Sequence, residues 1–351
     1  MSRLFAGRLP AGIVYVASAA FVFTLWIWGA DSASTSLNGD PRSTLAGLID
    51  GTASRPFVQR VLVPALTRGI VAVIPPAARA EFTGALMDSP KFRKESARLG
   101  WDTARLPEYC VALLIALGAL AAFPFVLRSF FRTLYDTDAF LTDIVPLAVL
   151  LGLPLFFGVG THYVYDFPQL LLFTAGLLLI VRRDWALLYP VYAIGCLNKE
   201  TTVILALATV LIWRKSIPAR ILALHAGAQI LIFCAAEYAL TTAFSANPGS
   251  SLEFHLYGNI HNLLLPYTLE GAFFTVLFGT LILYDFERKH EVLRTCAWLI
   301  VPFAILMLAF GWLSELRALY EIYPLFALLA AHTLAFSWGK RPYALRPLAS
   351  R

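Results

Sequence analysis

Charge is what this sequence has least of. Only 14% of its 351 residues are Asp, Glu, Lys or Arg, against roughly 25% in a soluble domain. So few charges cannot cover a water-facing surface, which excludes an ordinary soluble enzyme. Cysteine is scarce as well. Cys110, Cys196, Cys234 and Cys296 fall in apolar segments without metal-ligand spacing, and they read as buried small hydrophobes. His162, His255 and His261 fit no metal site by spacing. There is no internal repeat and no low-complexity tract. Net charge is +6, but topology explains the basic residues better than nucleic-acid binding does.

What is present is apolar: 59% of residues are hydrophobic and the mean hydropathy is +0.70. Runs able to cross a ~30 Å hydrocarbon core recur along the whole length. They predict one all-α, polytopic transmembrane domain over 1–351 with ten spans: 11–30, 108–127, 140–158, 167–181, 185–197, 201–213, 219–241, 268–284, 295–313 and 319–337. The spans 185–197 and 201–213 are short, so broken or tilted helices are expected there. The first run follows Arg3 and Arg8, as the apolar part of a signal peptide would. Its length, and Trp26 and Trp28 at the expected interfacial belt, favour a retained anchor.

Basic residues set the orientation. With the N-terminus in the cytoplasm, sixteen of the 28 Lys and Arg residues fall at cytoplasmic ends, ten in the long segment 31–107, and only Lys199 and Arg317 in short outer loops. Long loops escape the positive-inside rule, so the informative ratio is sixteen to two. Both termini are then expected inside.

Within the outer loop 31–107, residues 31–54 are polar and turn-rich. After Arg55, the rest of 55–74 is apolar except for Gln59, Arg60, Thr67 and Arg68, which recur at about seven-residue spacing on one helical face. An interfacial amphipathic helix, kinked at Pro64, is predicted there. Residues 81–105 read as a short helical excursion above the membrane.

The outer face also collects the polar side chains, in Thr161–Pro168, Asn198–Thr201, Glu253–Asn262 and Ser314–Pro324. Lys199 is either a cation for a phosphate, oriented by Glu200, or part of a polar turn between helices. Arg317 either grips an anionic headgroup or pairs with Glu321 four residues on. Tyr163 and Tyr165 suit an aromatic belt or a sugar-stacking wall, and Asp166 an N-cap. His162, Glu315 and Glu237 complete the supporting set, Glu237 because an ionisable group inside a span must be compensated.

This plan resembles the C-type (GT-C) glycosyltransferases. The first span is followed directly by Asp31 and a large outer loop, and 55–74 looks like a juxtamembrane helix. The strings RPFVQRVLVP, NKET and ELRALYEIYP also look like those of uncharacterised bacterial membrane proteins grouped with that superfamily. The resemblance implies a polyprenyl-phosphate-linked sugar donor used at the outer face of a bacterial inner membrane. Its base would be Asp31, then Asp50 or Asp40, and its phosphate ligands Arg55, Arg60, Lys199 and Arg317. No organic cofactor is implied, although a divalent metal would suit carboxylates and phosphate. The chain departs from the family in having no paired acidic motif after the first span and no large soluble domain. Two other classes fit the same pattern: a non-catalytic subunit docking a protein partner, and a transporter or flippase of a lipid-linked substrate.

The orientation is directly testable. Cysteines introduced at Ser32, Ser250 and Ser314 should react with an impermeant thiol reagent added outside intact cells, and one at Ser216 should not. Outside labelling at Ser216 would reverse the orientation.

Overall fold

In a computed structural model the described residues are 11–29, 37–157, 162–263, 269–313, 319–337 and 344–345. They are almost wholly helical. The strands among them are the two-residue segments Tyr135–Asp136 and Ala344–Leu345, which pair antiparallel. Each apolar segment read as a span is helical. In chain order the helices are α1 (Ala11–Trp28), then α2 to α5 in the first loop (Leu45–Asp50, Leu62–Val73, Pro76–Met87 and Pro90–Arg98), then α6 (Leu106–Leu134), α7 (Ala139–Gly152) and α8 (Asp166–Arg182). They continue with α9 (Trp185–Asn198), α10 (Ile204–Trp213), α11 (Ala219–Ala243), α12 (Leu256–Leu263), α13 (Leu269–Leu283), α14 (Glu291–Ala297), α15 (Ile300–Phe310) and α16 (Tyr323–Ser337).

Four described stretches are long and apolar enough to cross a membrane: α1, 103–134, α11 and 291–310. The number becomes five if the bent pair α3–α4 counts as one broken span. Helix α9, with 14 residues, is about 21 Å long, well short of a ~30 Å hydrocarbon core. The helices' outward surface is apolar. Leu224, Leu231 and Tyr238, seven residues apart on α11, are all largely exposed. That inside-out character points to a membrane protein.

Helices α6 and α8 form the centre. Fourteen of the 29 residues of α6 and twelve of the 17 of α8 are buried, against three of the 25 of α11, so α11 is peripheral. Ala112, Ala116 and Ala119 lie on one buried face of α6, where small side chains let neighbouring backbones approach. Gly176 of α8 does the same towards α10: a Cβ there would stand 2.5 Å from a Leu205 methyl.

Several expectations are corrected. The helix foreseen over 55–74 starts only at Leu62, after a 3-10 turn at Phe57–Gln59. Pro64 lies in its first turn, where the missing N–H costs nothing. Two of its polar positions, Gln59 and Thr67, face inward and are buried, while Arg68 stays exposed and donates to the carbonyl of Ile49. Leu66, Ile70 and Val73 are exposed too. At Pro75–Pro76 the chain turns by 107° into α4. Of the cysteines, Cys234 is exposed, on the peripheral α11. Trp26 is buried against His162 and Phe167, whereas Trp28 is exposed. His225 and His332 each meet a tyrosine hydroxyl, of Tyr189 and Tyr135 respectively.

The closeness of α8 and α10 gives a stability prediction. Gly176→Val should lower thermal stability in detergent by about 1–3 kcal/mol, the usual cost of overpacking. The exposed Gly118→Val on α6, which has open space around its Cα, should cost less than half as much.

Candidate functional site

Polar residues far apart in the sequence meet at one end of the bundle. The hub is the break between α9 and α10. Helix α9 ends at Asn198, Lys199 is extended, and the chain restarts as a 3-10 turn at Glu200–Val203. The break is held by side chains. Asn198 Nδ2 donates to the Tyr165 carbonyl at 3.0 Å and to Gln169 Oε1 at 3.1 Å. Gln169 Nε2 donates to Thr202 Oγ1 at 3.2 Å and Thr201 Oγ1 at 3.3 Å. Gly195 lets Thr202 approach, since a Cβ there would meet its methyl at 2.8 Å.

Two ion pairs stand on this frame. Arg60 Nη2 bonds Glu200 Oε1 at 2.8 Å. The same guanidinium donates to the Tyr165 hydroxyl and lies over the Tyr165 ring, 4.7 Å from its centroid. Its side chain is only 12% exposed. Lys199 Nζ bonds Glu321 Oε1 at 2.8 Å, and Thr201 Oγ1 donates to the same oxygen at 2.6 Å. Glu321 is 0% exposed. A carboxylate so placed is tolerable only when paired and hydrogen-bonded. Glu237 of α11 lies close enough to feel the charges of Glu200 and Arg60. An aromatic ladder runs alongside, with Phe57 stacked on Tyr163 at 5.7 Å and Tyr163 on Tyr165 at 4.9 Å.

The structure therefore joins Arg60, Lys199, Glu200, Glu321 and Tyr163 through Tyr165 and Thr201. Some pairings differ from those expected. Glu200 binds Arg60 rather than serving Lys199 alone, and Glu321 turns to Lys199. Arg317, Glu315 and Asp31 lie outside the described residues. Tyr163 is buried against protein rings, with Ser43 Oγ donating to its hydroxyl, so it offers no open sugar-stacking wall. Asp166 is buried in the first turn of α8, where the helix dipole favours it, while Tyr165 occupies the N-cap position. His162 is buried and stacks on Trp26 at 5.2 Å.

Asp40, Arg42, Asp50, Arg55 and Arg105 hold the first loop together. Asp40 binds Arg42 at 2.9 Å, and Arg42 reaches Glu253 at 2.7 Å. Burial alone would raise the Asp40 pKa, but the side chain and backbone N–H of Arg42 outweigh it and hold the carboxyl below its usual range. Asp50 binds Arg105 at 2.7 Å. Arg55 donates to the Gly249 carbonyl at 2.7 Å, and Asn247 to the carbonyls of Gly51 and Ala53. These contacts tie the loop to residues 247–253. Among the described residues no group of three or more His, Cys, Asp or Glu side chains could hold a metal ion.

Sequence reasoning missed Gln169, Asn198 and Thr201 as organisers. One signal was available: an amide such as Gln169, one turn inside an apolar helix, has to find partners there.

No family model matches the chain, and no curated protein or solved structure matches it either. The site rests on its own geometry.

Lys199→Met should cost about 3–5 kcal/mol of stability, because it strands the Glu321 charge in the interior. The double variant Lys199→Met/Glu321→Leu should recover at least half of that in thermal unfolding in detergent. Equal losses in the single and double variants would show that the pair does not matter.

Proposed function

We propose that the chain is a membrane-embedded glycosyltransferase of the C-type plan, taking a sugar from a polyprenyl-phosphate donor at the outer face. The observation that carries this reading is the meeting of Arg60 and Lys199, distant in sequence, in one polar network lined by tyrosines. In the ten-span, N-in and C-in arrangement within a bacterial inner membrane, that network faces outward. The shortness of α9 and α10 sinks it below the outer surface, within reach of a lipid phosphate.

In the reaction, the acceptor oxygen attacks the anomeric carbon as its proton passes to an Asp carboxylate. The bond from that carbon to the phosphate oxygen breaks, and the lipid phosphate leaves with the electron pair. Arg60, with its planar fork, stabilises the charge on the leaving group by exchanging Glu200 for phosphate oxygens, and Lys199 adds a further N–H of the ammonium that it keeps on Glu321. Asp31 is the first choice of base, because Asp50 and Asp40 are engaged by Arg105 and Arg42. Arg55, bound to Gly249, has a weaker claim as a phosphate ligand, and Arg317 remains a candidate.

A second reading has its own support. Arg60, Lys199, Glu200 and Glu321 are already paired with one another, as suits a structural network in a non-catalytic subunit that docks a protein partner.

The deciding experiment offers purified protein a panel of polyprenyl-phosphate sugars and follows release of the lipid phosphate by mass spectrometry. Release is expected, with Asp31→Asn lowering it by roughly 10²-fold or more while donor binding is kept. Arg60→Lys should fail nearly as badly as Arg60→Ala, because lysine keeps the charge but loses the fork. No release from any donor, together with full complementation in cells by Asn at Asp31, Asp40 and Asp50 combined, would replace the transferase with the docking subunit.

A further inference from the structure

The other end of the bundle carries cations that are not neutralised. There a cleft of about 650 Å³ opens between the end of α10 and α14, within the size range of small-ligand sites. Arg214, Lys215 and Arg294 stand on its walls, with Glu287, Glu291 and Trp298. Glu287 accepts from Arg294 Nη1, which leaves the exposed Glu291 facing two cations, so the lining keeps a net positive charge. Among the described residues Arg214 and Lys215 have no ion-pair partner. They are exposed at the mouth of the cleft.

Directly beside these cations the surface turns apolar. Trp298, Val301 and Ile305 are 67%, 45% and 60% exposed. Their three- and four-residue steps put them on one side of the segment running from α14 into α15. A soluble anion would use the cations and leave this stripe bare. A phospholipid would use both, with its phosphate in the cleft and its acyl chains along Val301 and Ile305. Trp298 would sit between, at the depth where indole rings are favoured. Further cations stand at the same end of the bundle. Arg183 lies over the ring of Trp213, 3.9 Å from its centroid, beside Arg214, so the field there attracts an anionic leaflet.

We infer that the α10–α14 cleft is a binding site for an anionic phospholipid, its phosphate held by Arg214 and Lys215 and its acyl chains by the Trp298–Ile305 stripe. The inference is independent of the transferase reading, because it uses none of those residues and lies at the opposite end of the bundle.

Native mass spectrometry of the detergent-purified full chain, given equimolar phosphatidylglycerol and phosphatidylcholine, tests it. The wild-type protein should retain phosphatidylglycerol in preference by roughly tenfold, the effect expected of two cations near a lipid phosphate. Arg214→Gln/Lys215→Gln should abolish the preference, while Lys91→Gln, on α5 in the first loop, should keep it. A second measurement needs no change to the cations. Phosphatidylglycerol brominated on its acyl chains should quench tryptophan fluorescence more than brominated phosphatidylcholine does, and Trp298→Phe should remove that excess. Equal retention of the two lipids by the wild-type protein would overturn the proposal. So would displacement of phosphatidylglycerol by inorganic phosphate at comparable concentration, which would mark a site for soluble anions.

Discussion

A carboxylate with no solvent exposure has to be answered by the chain around it, and Glu321 makes that demand at the centre of the polar end. Lys199 and Thr201 answer it from the break between α9 and α10. To reach Glu321 the break must be open: Lys199 leaves the helix, and the last turn of α9 has to end with its backbone groups satisfied. The Lys199 N–H closes that turn on the Gly195 carbonyl, and the side chains of Asn198, Gln169 and Thr202 brace the break against α8. The interruption of the α9–α10 segment therefore has a physical cause, since an unbroken helix would carry Lys199 away from its partner.

The same demand shapes the first loop. Arg60 lies almost fully inside, and it is answered three times, by the Glu200 carboxylate, the Tyr165 hydroxyl and the Tyr165 ring. This pulls the chain at Phe57–Gln59 inward and turns Thr67 of α3 towards the protein. The apolar side of α3 is left outward, where water would make it a liability and lipid makes it neutral. Helices α6 and α8 give this end a rigid floor, because they are the most buried elements and carry Tyr109, Phe167 and Gln169 into the interior.

Much of the fold was legible because apolar runs and helices coincide in such a chain. Helices fall in all ten segments read as spans, although four or five are long and apolar enough to cross, and among the polar residues Arg60 meets Glu200 and Lys199 meets Glu321. What failed was direction. The periodicity of Gln59, Arg60, Thr67 and Arg68 identified a helical face without saying whether water or protein would satisfy it. Glu321 pairs with Lys199, a long-range partner without a sequence signal, and its expected local partner Arg317 lies outside the described residues. Asp40, Asp50 and Arg55 looked free for chemistry because their partners Arg42, Arg105 and Gly249 are set by loop packing, which periodicity does not reach. Gln169 was passed over because a single amide barely alters the apolarity of a span.

The two ends of the bundle solve the same electrostatic problem in opposite ways. At the Arg60 end, cations and carboxylates are matched inside the protein, so the network is nearly neutral and recessed. A ligand can enter it only by replacing a partner already bound, which selects for a strong, multidentate anion and discriminates against weak ones. At the α10–α14 end, Arg214 and Lys215 remain unmatched and exposed beside a bare apolar stripe. There a ligand displaces only water, so binding is easy and weakly selective among anionic lipids. The first arrangement suits a site that must choose its substrate, and the second suits a surface that seats the protein in its membrane. Both follow from where the chain places carboxylates relative to its arginines and lysines.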